Sequence, residues 1–408
     1  MEDKKTLIDF CKLVLKVGVN LQKGQGLEIA CAVDKHQVAV TMCEEAYKMG
    51  ASMVKIRWSS QQIERLTYEY ASKENLEEVP KWFVDSKNYL VEKGYCYVAI
   101  VSDDPDAFNG IPSEKIAVAS KAKSKALKKF SDVVMSNGIR WCVVSVPSTS
   151  WAKKVFPNSK NAEEELSLAI ESCMRLHEED PVEAWERHVC LMEQRAKFLT
   201  EKNFEYVRFT NKLGTNLKVG LADDHVWISA KERALDGEFF VANLPTEEVF
   251  TAPHGKKVDG VLKSSLPLCE NGKIIDDFTI TFKNGKIVDF DAKVGYDALK
   301  EIIETDSGTS RLGEIALIGK NSPIAKSGIL FYNTLFDENA SCHLALGKGY
   351  PTTVKNGDKL SKKELAELGV NDSIEHEDFM IGTPDINVVG VKKDKTTVQV
   401  FVDGEWVI

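Results

Sequence analysis

Apolar positions in the first 180 residues form short continuous runs, separated by stretches where they recur every three or four residues. Leu27–Cys31, apolar but for Glu28, is a run of the first kind and predicts a buried strand. Helical spacing follows over Gln37–Met49 and stops at Gly50, a residue that ends helices in the left-handed conformation. The pattern repeats with a strand at Ser52–Ile56, a helix at Gln61–Tyr70 and a strand at Tyr95–Val101. A helix over Ser113–Phe130 and a strand over Trp141–Val146 complete the series. Strands alternating with helices at this spacing predict an α/β domain with a largely parallel sheet.

Two further helices are expected at Asn161–His177 and Val182–Thr200, the second opened by Pro181, since proline suits a first helical turn. A domain boundary is placed here, giving an α/β domain over 1–180 and a second domain over 181–408. After residue 204 the period changes to two. Phe278, Ile280 and Phe282 alternate with threonines, Asn284-Gly285 supplies a hairpin turn, and Ile287–Phe290 returns. Val398–Val402, Asp403-Gly404 and Trp406–Ile408 repeat the device, and one helix, Tyr296–Glu304, interrupts. The second domain is therefore expected to be β-rich α+β.

Length supports two domains, because 408 residues exceed what one core usually organises. The net charge of −9 argues against general attraction to nucleic acid or to an anionic membrane. Nine cysteines, an odd number with no C-x-x-C pair, sit mostly in apolar runs and suit buried thiols in a reducing compartment. The start, M-E-D-K-K-T-L-I-D-F, has no signal-peptide core, and no run of 18 apolar residues occurs. A cytoplasmic location is expected.

Candidate chemistry concentrates in the second half. His376 and Asp378 are two apart in S-I-E-H-E-D-F-M, so in a strand both project from one face while Glu377 points away. An imidazole beside a carboxylate is half of a zinc-type or two-metal site. By itself the pair would equally make the polar face of a surface strand. Glu248, between Pro245 and Pro253, Glu314, heading the apolar run Ile315–Ile318, and Glu338 and His343 extend the set. Tyr350 follows His343 across Leu344–Gly347. Other signals fail on context: Gly24-Gln25-Gly26 precedes a strand, Gly347-Lys348-Gly349 lacks the upstream glycine of a phosphate loop, and both read as turns. Cys342 reads as a packed thiol and His36 as a helix-start residue at a strand end.

At these residues the chain resembles the aminopeptidase T and aminopeptidase S family of dinuclear metallopeptidases. The matching runs are N-L-P-T-E-E-V-F-T-A-P (243–253), R-L-G-E-I-A-L-I (311–318), D-E-N-A-S-C-H-L-A-L-G-K-G-Y (337–350) and H-E-D-F-M-I-G-T-P-D (376–385). The resemblance implies metal ligands at Glu248, Glu314, His343, His376 and Asp378, with Glu338 a further candidate. It implies a catalytic place for Tyr350 and for a carboxylate, Glu314 or Glu338, that moves the proton. Glu247 beside Glu248 departs from the small residue expected there. Two divalent cations per subunit (zinc, cobalt or manganese), peptide substrates with a free amino terminus and a homodimer are implied likewise. Two other readings stand beside this one. A phosphoester-cleaving two-metal hydrolase would need Arg311, Lys320 or Lys348 to hold phosphate, and a non-catalytic α/β binding protein would use the acids and histidines structurally.

Overall fold

A computed structural model of the chain describes residues 3–270 and 273–408. It divides into two compact units, Met1–Arg187 with Lys231–Pro245, and His188–Ala230 with Thr246–Ile408. The first unit holds a parallel sheet in the order Met53–Ser59, Gly26–Ala32, Cys96–Val101, Trp141–Ser145, Asn243–Leu244. Gly26–Ala32 has a neighbour on either side and is buried along almost its whole length, which is why it reads as an apolar run interrupted only by Glu28, itself buried and paired with Lys87. Helices connect the strands, including His36–Lys48, Gln61–Tyr70 and Lys81–Glu92. The expected α/β class with a parallel sheet is what this unit adopts.

Three local expectations change. The helix expected over Ser113–Phe130 is two helices, Ser113–Ala126 and Lys128–Met135, broken at Leu127. Beyond the break Phe130 packs edge-on against Tyr97, with ring centroids 5.9 Å apart. A first helix, Lys4–Leu13, was not anticipated, although Asp3 caps it by accepting from Thr6 N at 2.8 Å. Lys81–Glu92 was likewise missed. His36 is exposed at the first turn of its helix.

The second unit is antiparallel. Its larger sheet runs Leu268–Glu270, Lys273–Lys283, Pro253–Lys263, Asn216–Leu221, Tyr206–Thr210, Asn387–Val391, Thr397–Val402, Glu405–Trp406, with Lys286–Val294 paired to Lys273–Lys283. Both expected hairpin turns are present. Asn284 and Gly285 have φ of 51° and 76°, and Asp403 and Gly404 have 46° and 75°, the positive pair that two-residue turns demand. Helix Tyr296–Glu304 falls where the pattern placed it. Cys11, Cys31, Cys96, Cys142 and Cys342 are buried thiols, as their apolar surroundings predict; the side chain of Cys269 lies outside the described residues. Among the described residues, no helix is long and apolar enough to cross a membrane.

Candidate metal centre

A second, four-stranded sheet carries the acidic and histidine residues. Its order is Val249–Thr251, Leu312–Leu317, His343–Gly347, His376–Met380, all antiparallel. Residues directly opposite share a face, and the period of two carries that face along each strand. Glu314 lies opposite Ala345, which lies opposite Asp378; Ala316 faces His343, and Gly347 faces His376. Phe250 pairs with Ala316, so Glu248, two residues earlier, belongs to the same side. Five potential ligands thus share one face, interleaved with Ala316, Ala345 and Gly347. The small residues leave space above the sheet.

The opposite face is apolar. Val249, Ile315, Leu317, Leu344, Leu346 and Phe379 are buried there, and Phe379 meets Phe278 of the larger sheet with ring centroids 5.6 Å apart. At roughly 1.5–3 kcal/mol for each large apolar side chain removed from water, this face anchors the sheet. The other face is left for charge. Glu314 sits inside its strand, not at the head as expected, after a bulge at Leu312/Glu314. Gly313 fills that bulge because a Cβ would collide with the carbonyl oxygens of Gly347 and Lys348.

The side chains converge. His343 Nε2 lies 3.3 Å from Glu248 Oε2, 3.6 Å from Glu314 Oε1 and 3.7 Å from Asp378 Oδ1. His376 Nε2 lies 3.7 Å from Glu314 Oε2 and 3.4 Å from Asp378 Oδ1. Two three-residue donor groups result, Glu248–Glu314–His343 and Glu314–His376–Asp378, with the donor atoms of each within 4.8 Å of one another. Glu314 belongs to both. Its two oxygens face different histidines. Asp378 Oδ1 and His343 Nδ1 are buried without a hydrogen-bond partner among the described residues. A buried carboxylate oxygen left unpaired beside two imidazoles fits a cation bound there. His376 Nδ1 lies 2.7 Å from the Lys348 carbonyl. Only an Nδ1–H donor satisfies that contact, so Nε2 is the ring nitrogen that faces the carboxylates and, with the ring neutral, the one that would ligate a cation.

The protein's own charges show strain that a cation would relieve. Burial pushes Glu248 up to about 8, with Glu314 and Asp378 adding to the rise while His343 opposes it. Burial alone would lower both imidazoles, but Glu314, Asp378 and Glu248 raise His343 to about 10. Asp378 and Glu314 do the same for His376, also to about 10. Glu338 is held well above the carboxylate range by burial, with Asp378, Glu248 and Glu314 adding to the rise. Positive cations are the natural counter-charge for this many carboxylates.

Glu338 lies in the short turn Glu338–Ala340, close enough to feel these carboxylates yet outside both donor groups. Tyr350 stacks obliquely on His376 at 4.9 Å between ring centroids and meets Phe250 edge-on at 6.3 Å. Glu247 turns away from the cluster, its Oε2 3.4 Å from His188 Nε2. Glu248 is therefore the member of the pair that faces His343. Cys342 is a packed thiol whose Sγ contacts the Ile318 backbone at 3.4 Å, as anticipated. Gly347-Lys348-Gly349 is not the expected turn: Gly347 ends its strand, Lys348 N donates to the Glu375 carbonyl and Gly349 N to the Asn371 carbonyl, and the Lys348 carbonyl is thereby presented to His376. Arg311 donates to the Gly255 carbonyl at 2.6 Å and Lys320 to the Pro384 carbonyl at 3.2 Å, so two of the three side-chain cations invoked for phosphate are engaged elsewhere, and the third, Lys348, is exposed.

Two supporting residues were not singled out in the sequence. The Asp306 carboxylate accepts from Gly308 N, Thr309 N, Ile374 N and Ser373 Oγ, all within 3.0 Å. It thereby staples the segment entering His376. Asn339 reaches both the Glu247 backbone and the Glu338 side chain. The D-G-turn-like spacing D-S-G-T at 306–309 is a readable loop signal for the first; the second has none.

Residues 3–406 match the family described as thermophilic metalloprotease (M29). The chain belongs to that family. It is 41% identical over 400 residues to aminopeptidase AmpS of Bacillus subtilis, covering 97% of each chain. It is 38% identical over 405 residues to aminopeptidase 2 of Geobacillus stearothermophilus, covering 99% of this chain and 98% of the relative. Among solved structures, wild-type AmpT from Thermus thermophilus superposes with a TM-score of 0.93 at 33% identity, over 99% of this chain and all of that one. Membership makes this chain a metallopeptidase, and the four quoted sequence runs carried the resemblance correctly.

Proposed function

We propose that this metallopeptidase removes the amino-terminal residue from peptides, using two divalent cations per subunit held by Glu248, Glu314, His343, His376 and Asp378. The observation that carries this reading is Glu314, whose two oxygens complete two separate donor groups. Carboxylate and imidazole donors of this kind accept zinc, cobalt or manganese. Cations held by these residues would supply Lewis acidity, lowering the pKa of a bound water and polarising the scissile carbonyl.

The chain's own residues supply the rest. The dense carboxylate cluster favours a positively charged α-amino group, which selects a peptide's free end. Glu314 is committed to both donor groups, which leaves Glu338 to take the water's proton and deliver it to the leaving amine. Tyr350 donates its hydroxyl hydrogen to the tetrahedral oxyanion. Burial, with the charges of Glu314 and Asp378, pushes the Tyr350 phenol up, so it remains a neutral donor. Tyr350→Phe should lower kcat roughly 10²–10³-fold with cation content unchanged. A variant as fast as the wild type would reduce Tyr350 to packing.

A panel of aminoacyl-anilides and phosphoesters, assayed on metal-stripped protein with each cation restored, tests the activity. Cleavage of phosphoesters alone would replace this reading by the alternative hydrolase. The enzyme is further read as a cytoplasmic homodimer, on the family resemblance and the buried thiols. Light scattering should give about twice 45.5 kDa. A fully active species at the single-chain mass would contradict the dimer.

A further inference from the structure

Asn339 is among the most enclosed polar side chains of the second unit, 1% exposed. It belongs to neither donor group, and its contacts are divided between two distant stretches of chain. Its Oδ1 accepts from Glu247 N at 2.8 Å. Its Nδ2 donates to the Leu335 carbonyl at 3.1 Å and to Glu338 Oε1 at 3.4 Å. An asparagine amide offers one acceptor and two donor hydrogens in a single rigid plane, and here both edges are used. One edge therefore holds the residue immediately before Glu248. The other holds the turn that carries Glu338.

The surroundings show that this clamp has work to do. Glu248 sits just ahead of its strand, which begins at Val249, so ladder hydrogen bonds do not fix it. On the same side of Glu248 the chain is also met by His188 Nε2, which lies 3.0 Å from the Thr246 carbonyl and 3.4 Å from Glu247 Oε2. Glu338 lies in a single short turn outside any sheet. Two carboxylates on such segments, surrounded by others of the same charge, would swing apart without a neutral cross-link. A buried amide supplies that link without adding charge.

We propose that Asn339 is a positioning residue that sets the separation between the ligand Glu248 and the proton carrier Glu338; this rests on the two-cation reading above. The clamp acts on one donor group only. Glu248 completes the group with Glu314 and His343, whereas Glu314, His376 and Asp378 lie on strands fixed by the sheet. Loosening Asn339 therefore weakens one cation and spares the other. A merely structural asparagine would change both alike, or neither.

Stripped full-length protein is titrated with Co²⁺ by calorimetry, and kcat and KM are measured on a leucyl-anilide, for wild type, Asn339→Ala and Asn339→Asp. Asn339→Ala should weaken one of two Co²⁺ steps about 10–100-fold, leave the other in place, and lower kcat by a similar factor with little change in KM. Asn339→Asp keeps an acceptor for Glu247 N but turns a carboxylate oxygen toward Glu338. It should retain both Co²⁺ steps near wild-type affinity while kcat falls. Thermal melts show whether each variant is folded, and either variant alone suffices to test the clamp. Wild type with two Co²⁺ steps and variants unchanged in both binding and kcat would overturn the clamp alone. Equal weakening of both steps in Asn339→Ala would also overturn it. Wild type binding a single Co²⁺ would overturn the two-cation reading and the clamp with it.

Discussion

Glu314→Ala is expected to abolish peptide hydrolysis and to strip both cations from the purified protein. No other single ligand should do both. Glu314 Oε1 faces His343 and Oε2 faces His376, at 3.6 and 3.7 Å, so one carboxylate serves both donor groups. Its removal leaves each group with two protein donors. His376→Ala or Asp378→Ala should instead deplete one cation preferentially, because Glu248–Glu314–His343 stays intact. Metal content after gel filtration, compared with far-UV circular dichroism as a check on folding, separates the cases. A Glu314→Ala protein that keeps one full equivalent while His376→Ala loses both would refute the shared role.

Glu338→Gln should lower kcat by about 10²–10⁴-fold, the usual range for loss of a positioned proton carrier. Cation content should not change, since Glu338 stands outside both donor groups. Glutamine keeps the shape and the capacity to accept from Asn339 Nδ2, 3.4 Å away, but does not take up a proton. The contrast with Glu314 is the informative part. If Glu338→Gln loses a cation, Glu338 is a ligand and the proton must be carried by another group.

The fold class was legible because burial leaves a period in the sequence. The mainly apolar run at Leu27–Cys31 and the threonine alternation around Phe278 reported a two-sided and a one-sided strand respectively. His376 and Asp378 were readable for the same reason: period two puts them on one face whatever the strand pairs with. What pairs with what was not readable. The register that sets Glu314 and Asp378 on either side of Ala345 depends on a bulge at Gly313, and that glycine is explained only by the Gly347 and Lys348 carbonyls that approach it. The break at Leu127 interrupts a run of good helix formers, so propensity argued for continuity and tertiary packing of Phe130 decided otherwise. Asn339 escaped notice because an interior asparagine carries no spacing signal. Its meaning lies in contacts 92 residues apart in sequence.

Central to the account is that activity requires two cations on one face of a single small sheet. The direct measurement is a titration of exhaustively stripped protein with Zn²⁺, Co²⁺ or Mn²⁺, following bound equivalents and aminoacyl-anilide cleavage in the same samples. Stripped protein should be inactive, binding should saturate at two equivalents per chain, and full activity should appear only as the second equivalent binds. Full activity in the stripped protein, or saturation of activity at one equivalent with no second binding event, would contradict it.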